Sequence, residues 1–136
     1  MVERIGKIKV QLRIADIDSL NHVNNANYLT FFEIGRVDYF LNIMKIPDLN
    51  QIRIVVKQAE IEFMKPIHFT DKPLVETWIS KLGKTSAIFS HRIVDEENQN
   101  LYAVGKTVIV YVDDNGRKME IPVELKEKAE KLLLEQ

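Results

Sequence analysis

The stretch Asp16-Ile-Asp18-Ser-Leu-Asn-His22-Val-Asn24-Asn25-Ala-Asn-Tyr28 places two acids, a histidine and several asparagines directly before an apolar run at 28–44. That run is apolar around much of its circumference, which predicts a long helix that is buried rather than laid on a surface and that ends at Pro47. The first N–H groups of a helix have no intrahelical acceptor, and the helix dipole is positive there. Residues 16–28, called the entrance loop below, are therefore predicted to form a polar site that can stabilise a developing negative charge.

Short alternating runs on both sides of this helix predict β-strands. Before the helix, apolar side chains alternate with polar ones over 5–14, which predicts a half-buried strand with Ile8, Val10, Leu12 and Ile14 on its inner face. After the helix, four strand-like runs at 52–64, 74–82, 85–94 and 101–112 are separated by turn residues. Consecutive strands joined by short turns are expected to pair antiparallel. Pro122 and the run 126–134 predict a short terminal helix.

The predicted order is strand, long helix, four strands and short helix, which makes an α+β chain. A helix that is apolar on most sides needs cover, and one antiparallel sheet that curls around it supplies that cover. A chain of 136 residues is expected to form a single domain, spanning 1–136.

The composition excludes several classes of function. The 19 basic and 20 acidic residues nearly cancel, which argues against a nucleic-acid partner held by charge. The absence of Cys excludes disulfides, thiolate metal sites and a Cys nucleophile, and three His without metal-ligand spacing argue against a metal site. No run resembles a signal peptide or reaches the roughly 20 apolar residues that cross a bilayer. We therefore expect a cytoplasmic protein that has no metal and no membrane partner.

The entrance loop and the residues after it resemble the signature of hotdog-fold acyl-CoA thioesterases related to 4-hydroxybenzoyl-CoA thioesterase, Asp-x-Asp-x-x-Gly-His-Val-Asn-Asn-x-x-Tyr-x-x-x-Phe-Glu-x-x-Arg. The positions that match are Asp16, Asp18, His22, Val23, Asn24, Asn25, Tyr28, Phe32, Glu33 and Arg36. Segments 63–71, 84–86, 108–113 and 121–122 are also similar to the family. The resemblance spans nearly the whole chain and implies a hotdog fold, in which a five-stranded antiparallel sheet wraps around one long central helix, with a short C-terminal helix.

Two positions depart from the family pattern. Asn21 stands where the family usually has Gly, and Thr70 replaces a Gly before Asp71. Because Asn tolerates a positive φ better than most residues, the turn at Asn21 is expected to survive. A side chain at position 21 is expected to affect which substrate the site accepts rather than the fold.

The resemblance also implies site residues. Asp18 is the catalytic carboxylate, acting as nucleophile or as general base, and the backbone N–H of Asn25 is the oxyanion donor. Asn24 either caps the helix or orients water or the substrate carbonyl. His22, Tyr28 and Glu33 are assigned to substrate binding.

Several of these polar residues also have structural interpretations. Asp16 is expected to bond the turn, and His22 to hydrogen-bond and pack in the loop. Glu33 and Arg36 lie three residues apart on the predicted helix and are expected to pair. Some hotdog thioesterases use a helix Glu, so Glu33 is the alternative catalytic carboxylate.

The implied activity is hydrolysis of an acyl-CoA thioester to a free acid and CoA, with no cofactor, in a homodimer at least and possibly a homotetramer. A non-catalytic acyl-CoA-binding hotdog protein is the first alternative. An enoyl-CoA hydratase or dehydratase is the second, but its motif, Asp-x-Asn-Pro-x-His, has the His five residues after the Asp. Here His22 follows Asp18 by four residues and the Pro is missing. The sequence leaves the acyl chain open, and also whether the carrier is CoA or acyl carrier protein.

Overall fold

A computed structural model describes residues 3–135. Its strands and helices are β1 (Gly6–Lys9), α1 (Asn27–Asp38), β2 (Ile54–Phe63), β3 (Pro73–Leu82), β4 (Ser86–Asp95), β5 (Leu101–Tyr111) and α2 (Val123–Leu132). A π-helical segment, Tyr39–Ile43, continues α1, and two short 3-10 turns lie at Ile14–Asp16 and Leu49–Gln51. Within the described part of the chain, no helix is long and apolar enough to cross a membrane.

The five strands form one antiparallel sheet in the order β1-β3-β4-β5-β2. Strands β3, β4 and β5 pair consecutively, as the short turns predict. However, β2 pairs with β5 and not with β3, so the expectation that all consecutive strands pair was wrong there. The connection at 64–72 is the reason, because it leaves the sheet and passes the entrance loop, where the Val23 N–H donates to the Ile67 carbonyl oxygen at 2.8 Å. As a result β2 lies at one edge of the sheet.

The sheet curls around α1, as the resemblance implies. One apolar cluster surrounds the first half of the helix, where Phe31 and Phe32 pack with Val75 and Ile93 of the sheet. A second cluster surrounds Tyr39 and Phe40 and is closed by Ala129 and Leu132 of α2. The predicted hotdog architecture, with its five strands, central helix and short C-terminal helix, is confirmed.

Three expectations about element bounds and burial need correction. The helix ends before Pro47, because Lys45 adopts a φ of +58° and the Ile46 N–H turns back to the Phe40 carbonyl oxygen at 2.9 Å. The first strand is only four residues long, and Ile14, predicted to face inward, is 79% exposed because the chain turns into a 3-10 segment there. The long helix also keeps one exposed apolar stripe, Leu29, Val37 and Leu41.

Two glycines let the helix sit deep in the sheet. A Cβ on Gly35 would lie 2.4 Å from the Thr77 Oγ1 atom and 2.9 Å from the Val75 Cγ1 atom. A Cβ on Gly105 would lie 2.5 Å both from the Glu60 carbonyl oxygen and from Phe32. Since both distances are far below van der Waals contact, the close approach of helix and sheet requires glycine at these two positions.

Replacing Gly35 with Ala should therefore destabilise the protein. Ala is about 1 kcal/mol better than Gly in a helix interior, but overpacking against β3 costs typically about 1–3 kcal/mol. We expect a net loss in the free energy of unfolding, measured by urea denaturation. Gly116→Asn is the control, because a Cβ at Gly116 meets nothing within 4 Å and Asn tolerates its φ of +77°. An unchanged or higher stability for Gly35→Ala would contradict the close packing.

Candidate active site

The carboxylate of Asp16 is the structural centre of the entrance loop. Its Oδ2 atom accepts the Arg13 backbone N–H at 2.7 Å, and its Oδ1 atom accepts from the Arg13 guanidinium at 2.9 Å and from the Asn27 side-chain amide at 2.8 Å. The Asp16 carbonyl oxygen also accepts the Asn24 N–H at 2.9 Å. The hydrogen bonds from Arg13 lower the pKa of Asp16 below its ordinary value. This buried carboxylate therefore joins the segment before the loop to the first residue of α1, in the structural role expected for it.

Asp18 lies in the same loop with its side chain 26% exposed. Its Oδ1 atom accepts the Leu20 N–H at 2.9 Å and the His22 N–H at 3.4 Å, so one oxygen fixes the turn. Among residues 3–135 the other oxygen accepts no hydrogen bond. The turn is completed at Asn21, whose φ of +71° confirms that Asn replaces Gly there without breaking the loop. Asp18 thus has one oxygen that holds the turn and one that can act on a ligand.

The backbone amides of 24–28 differ in whether they have an acceptor. The Asn24 N–H donates to the Asp16 carbonyl oxygen, and the Ala26 N–H donates to the Asn24 side-chain oxygen at 2.9 Å. The Asn27 N–H donates to the Asn24 carbonyl oxygen at 2.9 Å. The Tyr28 N–H donates to the Asn25 carbonyl oxygen at 3.3 Å. The Asn25 N–H has no acceptor within the described residues. It is consequently the one amide of these five that is free to bind a ligand oxygen.

Asn24 does not cap α1 in the way expected. The cap position is Ala26, which has no side-chain cap, and the Asn24 Oδ1 atom instead closes a tight turn onto the Ala26 N–H. The two turn residues, Asn25 and Ala26, separate Asn24 from the first residue of the helix, which explains the difference. Asn24 still satisfies an early amide, and it leaves the neighbouring Asn25 amide exposed.

One histidine, His22, lies in the entrance loop, and a second, His68, contacts it from outside the loop. His22 places its Nδ1 atom 3.8 Å from the Asp18 Oδ1 atom, and its ring meets that of His68 edge-on, with the ring centroids 6.1 Å apart. His68 has a carboxylate partner of its own, Asp71, at 3.6 Å. His68 comes from the connection between β2 and β3, and no local sequence pattern predicts that it contacts the entrance loop. Across residues 3–135, no three His, Asp or Glu side chains are arranged to hold a metal ion.

The other two residues assigned to substrate binding lie in different environments. Tyr28 is buried, and its ring packs edge-on against that of Phe63 at 4.9 Å; burial raises the pKa of the Tyr28 phenol. Glu33 is exposed on α1, two turns from the entrance loop. Tyr28 therefore supports the entrance loop by packing in the core, whereas the Glu33 side chain is accessible to a ligand.

Glu33 and Arg36 do not form the expected ion pair. The Arg36 side chain turns into the core and its Nη1 atom donates to the Thr107 Oγ1 atom at 3.2 Å, and no carboxylate among residues 3–135 lies within ion-pair distance of it. Burial lowers the pKa of Arg36, although Glu33 lies close enough to oppose that shift. A spacing of three residues permits a helix pair, but here the sheet offers Arg36 a buried hydroxyl and the tertiary contact prevails.

A series of hydrogen-bonded polar side chains continues from Arg36 into the sheet. The Thr107 Oγ1 atom lies 3.0 Å from the His91 Nε2 atom, and the His91 Nδ1 atom lies 3.2 Å from the Thr77 Oγ1 atom. The His91 ring stacks on that of Phe32, with centroids 4.3 Å apart. Burial, together with the nearby charge of Arg36, lowers the pKa of His91 to about 3, so this ring is neutral at pH 7. Thr77, His91 and Thr107 lie on the adjacent strands β3, β4 and β5, and their buried positions within the alternating pattern of these strands were the available sequence signal.

A surface groove runs between α1 and β2, with the Arg36 side chain at its floor. Two adjoining cavities, of about 290 and 230 Å³, make up this groove. They share Glu33, Arg36 and Val56, and the remaining lining residues are mostly apolar. The groove begins beside Leu29, within the first turn of α1 and directly after the entrance loop.

Comparison with known proteins supplies the family. A family model described as thioesterase-like superfamily matches residues 12–129. The long-chain acyl-CoA thioesterase FadM of Escherichia coli is 27% identical over 128 residues, covering 92% of this chain and 97% of that protein. A thioesterase from Thermus thermophilus, solved in complex with coenzyme A and Zn, is 31% identical, with a TM-score of 0.83 over 93% of this chain and 92% of that one. A predicted thioesterase from Bacillus stearothermophilus, 23% identical, shares the fold with a TM-score of 0.86 over 97% and 98% of the two chains.

The stabilisation of the entrance loop by the Asp16 carboxylate is testable, because it depends on pH. Asp16→Asn should lower the free energy of unfolding at pH 7 by about 1.5–3 kcal/mol, the usual contribution of hydrogen bonds to a charged group. Because the folded pKa lies below the ordinary value of 3.8, this stabilisation is complete above pH 3.8 and is lost as the pH falls through the folded pKa. The gap between wild type and variant, measured by urea denaturation, should therefore narrow below about pH 4.

Asp114→Asn is the matched control, because Asp114 pairs with Arg53 on the surface with its side chain 79% exposed. Exposed pairs of this kind contribute about 0–1 kcal/mol. A stability gap for Asp16→Asn that stays constant from pH 7 to pH 3 would show that the Asp16 charge does not hold the loop.

Proposed function

The chain belongs to the thioesterase-like superfamily and is an enzyme of the thioester-hydrolase class, and we propose that it hydrolyses an acyl-CoA to the free acid and CoA with Asp18 and the Asn25 amide as its reacting groups. The relative from T. thermophilus that was solved with coenzyme A supports CoA as the carrier. The reaction needs no cofactor, because CoA arrives as part of the substrate.

The observation that carries the proposal is the Asn25 N–H, which has no acceptor among residues 3–135 and lies in the same loop as the half-buried Asp18 carboxylate. Its four neighbouring amides in 24–28 are all occupied, so the loop presents a single donor at the positive end of α1. Such a donor stabilises the oxyanion that forms when a thioester carbonyl is attacked. Asp18, in the same loop, supplies the group that attacks or that activates water.

Hydrolysis adds water across the acyl–sulfur bond by one of two routes. In the first, the Asp18 carboxylate takes a proton from a water molecule while the water oxygen bonds to the acyl carbon. In the second, the carboxylate attacks the acyl carbon itself, and water then hydrolyses the mixed anhydride. In both routes the carbonyl oxygen becomes negative against the Asn25 N–H, the carbon–sulfur bond breaks, and the CoA thiolate leaves and takes a proton from solvent.

A homodimer is part of the proposal. Strand β2 is a ten-residue edge strand with one side unpaired, and its Val55 and Val56 side chains are each 50% exposed. The exposed stripe of Leu29, Val37 and Leu41 on the neighbouring helix extends this apolar surface. Long exposed edges and apolar patches of this kind are normally covered. A second copy of the protein that pairs along β2 covers both the strand edge and the apolar surface. It also closes the open side of the groove beside α1.

Replacing Asp18 with Asn is the direct test of the chemistry. The Asn side chain keeps an oxygen for the Leu20 N–H but cannot act as a base or form the anhydride. We expect thiol release from a panel of acyl-CoA esters to fall by about 10²–10⁴-fold, with an unchanged melting temperature. Asp48→Asn is the matched control, because the Asp48 Oδ1 atom makes the same turn bond, to the Asn50 N–H at 2.9 Å, away from the entrance loop.

The other outcomes of this assay select among the alternatives. Full activity of Asp18→Asn would remove Asp18 from the mechanism and make Glu33 the catalytic carboxylate. Binding of acyl-CoA by the wild type with no thiol release from any ester would identify an acyl-CoA-binding protein. Loss of an enoyl chromophore without thiol release would identify a hydratase.

The dimer is tested with a charge on the exposed helix stripe. Leu41→Glu should weaken self-association by tenfold or more, because an unpaired carboxylate is costly to bury. Light scattering over a dilution series measures the mass, and thiol release measures whether activity falls with dissociation. Val123→Glu is the control, since Val123 is 70% exposed on α2, outside the stripe. A wild type that stays at 15.8 kDa at every concentration would refute the dimer.

A further inference from the structure

The floor of the groove between α1 and β2 carries a buried positive charge. Arg36 is only 8% exposed and lines both cavities of the groove. The residues that line the groove with it are apolar except for Thr30, Thr107 and the rim carboxylate Glu33; the apolar ones include Leu29, Val56, Ala59, Val37 and Phe40. An otherwise apolar groove therefore contains one fixed cation.

This cation has fewer partners than its burial requires. A guanidinium has five N–H donors, and within residues 3–135 Arg36 uses one of them, on Thr107. Within the described residues, the only fully buried side-chain nitrogen or oxygen without a hydrogen bond is Trp78 Nε1. The remaining Arg36 donors are thus not sealed in the core, and the space they can reach is the groove. A buried charge without an anion is unfavourable, and a ligand carboxylate would offset that cost.

No group described around Arg36 supplies that anion. His91, behind Thr107, is neutral. Glu33 is exposed at the rim and lies beyond ion-pair distance, so it lowers the local potential without occupying the donors. The partner for Arg36 must come from outside these residues.

The position of Arg36 along the helix connects it to the entrance loop. At about 1.5 Å per residue, Arg36 lies about 14 Å along the axis from Asn27. At about 100° per residue, the seven positions from Leu29 to Arg36 bring the helix to within roughly 20° of the same side, and both residues line the groove. An acyl chain that leaves the Asn25 N–H at the start of the helix and follows this side of α1 therefore reaches the guanidinium.

We infer that the groove takes an acyl chain whose far end carries a carboxylate, so that the substrates are CoA monothioesters of dicarboxylic acids, with Arg36 binding the distal carboxylate. This inference rests on the proposed thioesterase activity, since it specifies the acyl group of that reaction. Apolar walls bind the methylene chain, and a planar guanidinium binds a carboxylate through two parallel N–H···O bonds. A plain alkyl chain would leave the guanidinium donors unpaired.

Chain-matched substrates test the inference by thiol release. Hexanoyl-, octanoyl-, decanoyl- and dodecanoyl-CoA are compared with adipoyl-, suberoyl-, sebacoyl- and dodecanedioyl-CoA. At the length that reaches Arg36 we expect kcat/KM to be about 10- to 100-fold higher for the dicarboxylic ester. Arg36→Met should abolish this ratio and Arg36→Lys should keep part of it, because Lys retains the charge but not the paired geometry.

A second measurement does not depend on hydrolysis or on folding of the Arg36 variants. Wild-type protein is titrated calorimetrically with two inert thioethers, S-decyl-CoA and the S-alkyl-CoA of equal length that ends in a carboxylate. We expect tighter binding of the carboxylate compound, and Glu33→Gln should widen the difference by up to about fivefold, because it removes the negative charge at the rim.

The two proposals fail in different ways. Thiol release from plain acyl-CoA with no preference for any dicarboxylic ester, and equal binding of the two thioethers, would overturn the inference and leave the thioesterase standing. That result is also expected if a carboxylate of a second subunit neutralises Arg36. No thiol release from any ester would refute the proposed function, and tighter binding of the carboxylate thioether would then still support the Arg36 site.

Discussion

The buried carboxylate of Asp16 is the interaction on which the site depends. It receives the backbone and side chain of Arg13 on one side and the Asn27 amide on the other, while its carbonyl holds Asn24. These contacts fix the start of α1 relative to the loop before it. With the loop fixed, Asn24 closes onto Ala26, and Asn25 is left with a free N–H. Asp18 lies in the same loop, where its Oδ1 atom accepts the Leu20 N–H.

The second constraint is the depth of α1 in the sheet. Because Gly35 and Gly105 have no Cβ, Phe32 can stack on His91 and Arg36 can reach Thr107. A shallower helix would put Arg36 in solvent, where it would pair with Glu33. Close packing thus both builds the core and places a charge at the floor of the groove. The entrance loop and the groove are connected through this one helix.

Local sequence patterns predicted the elements well and their partners less well. The bounds of β2 to β5 fall within two residues of the predicted runs, because alternation and turn residues are local signals. The positive φ of Asn21 also followed from residue chemistry. The pairing of β2 with β5 and the inward turn of the Arg36 side chain could not be predicted in this way, because both depend on residues that are distant in the sequence and meet only in the folded sheet. Of the two roles predicted for Asn24, the helix cap was wrong, because two turn residues separate Asn24 from the first residue of α1.

The most direct test of the account follows the Asn25 amide by two-dimensional amide NMR. The protein is titrated with a ketone analogue of an acyl-CoA, in which a methylene group replaces the thioester sulfur and the carbonyl remains. We predict that the Asn25 N–H proton shifts downfield more than any other amide of 24–28, because it alone of these amides has no acceptor among residues 3–135 of the free protein. An Asn25 resonance that stays in place while the analogue binds elsewhere would contradict the assignment of this loop as the catalytic centre.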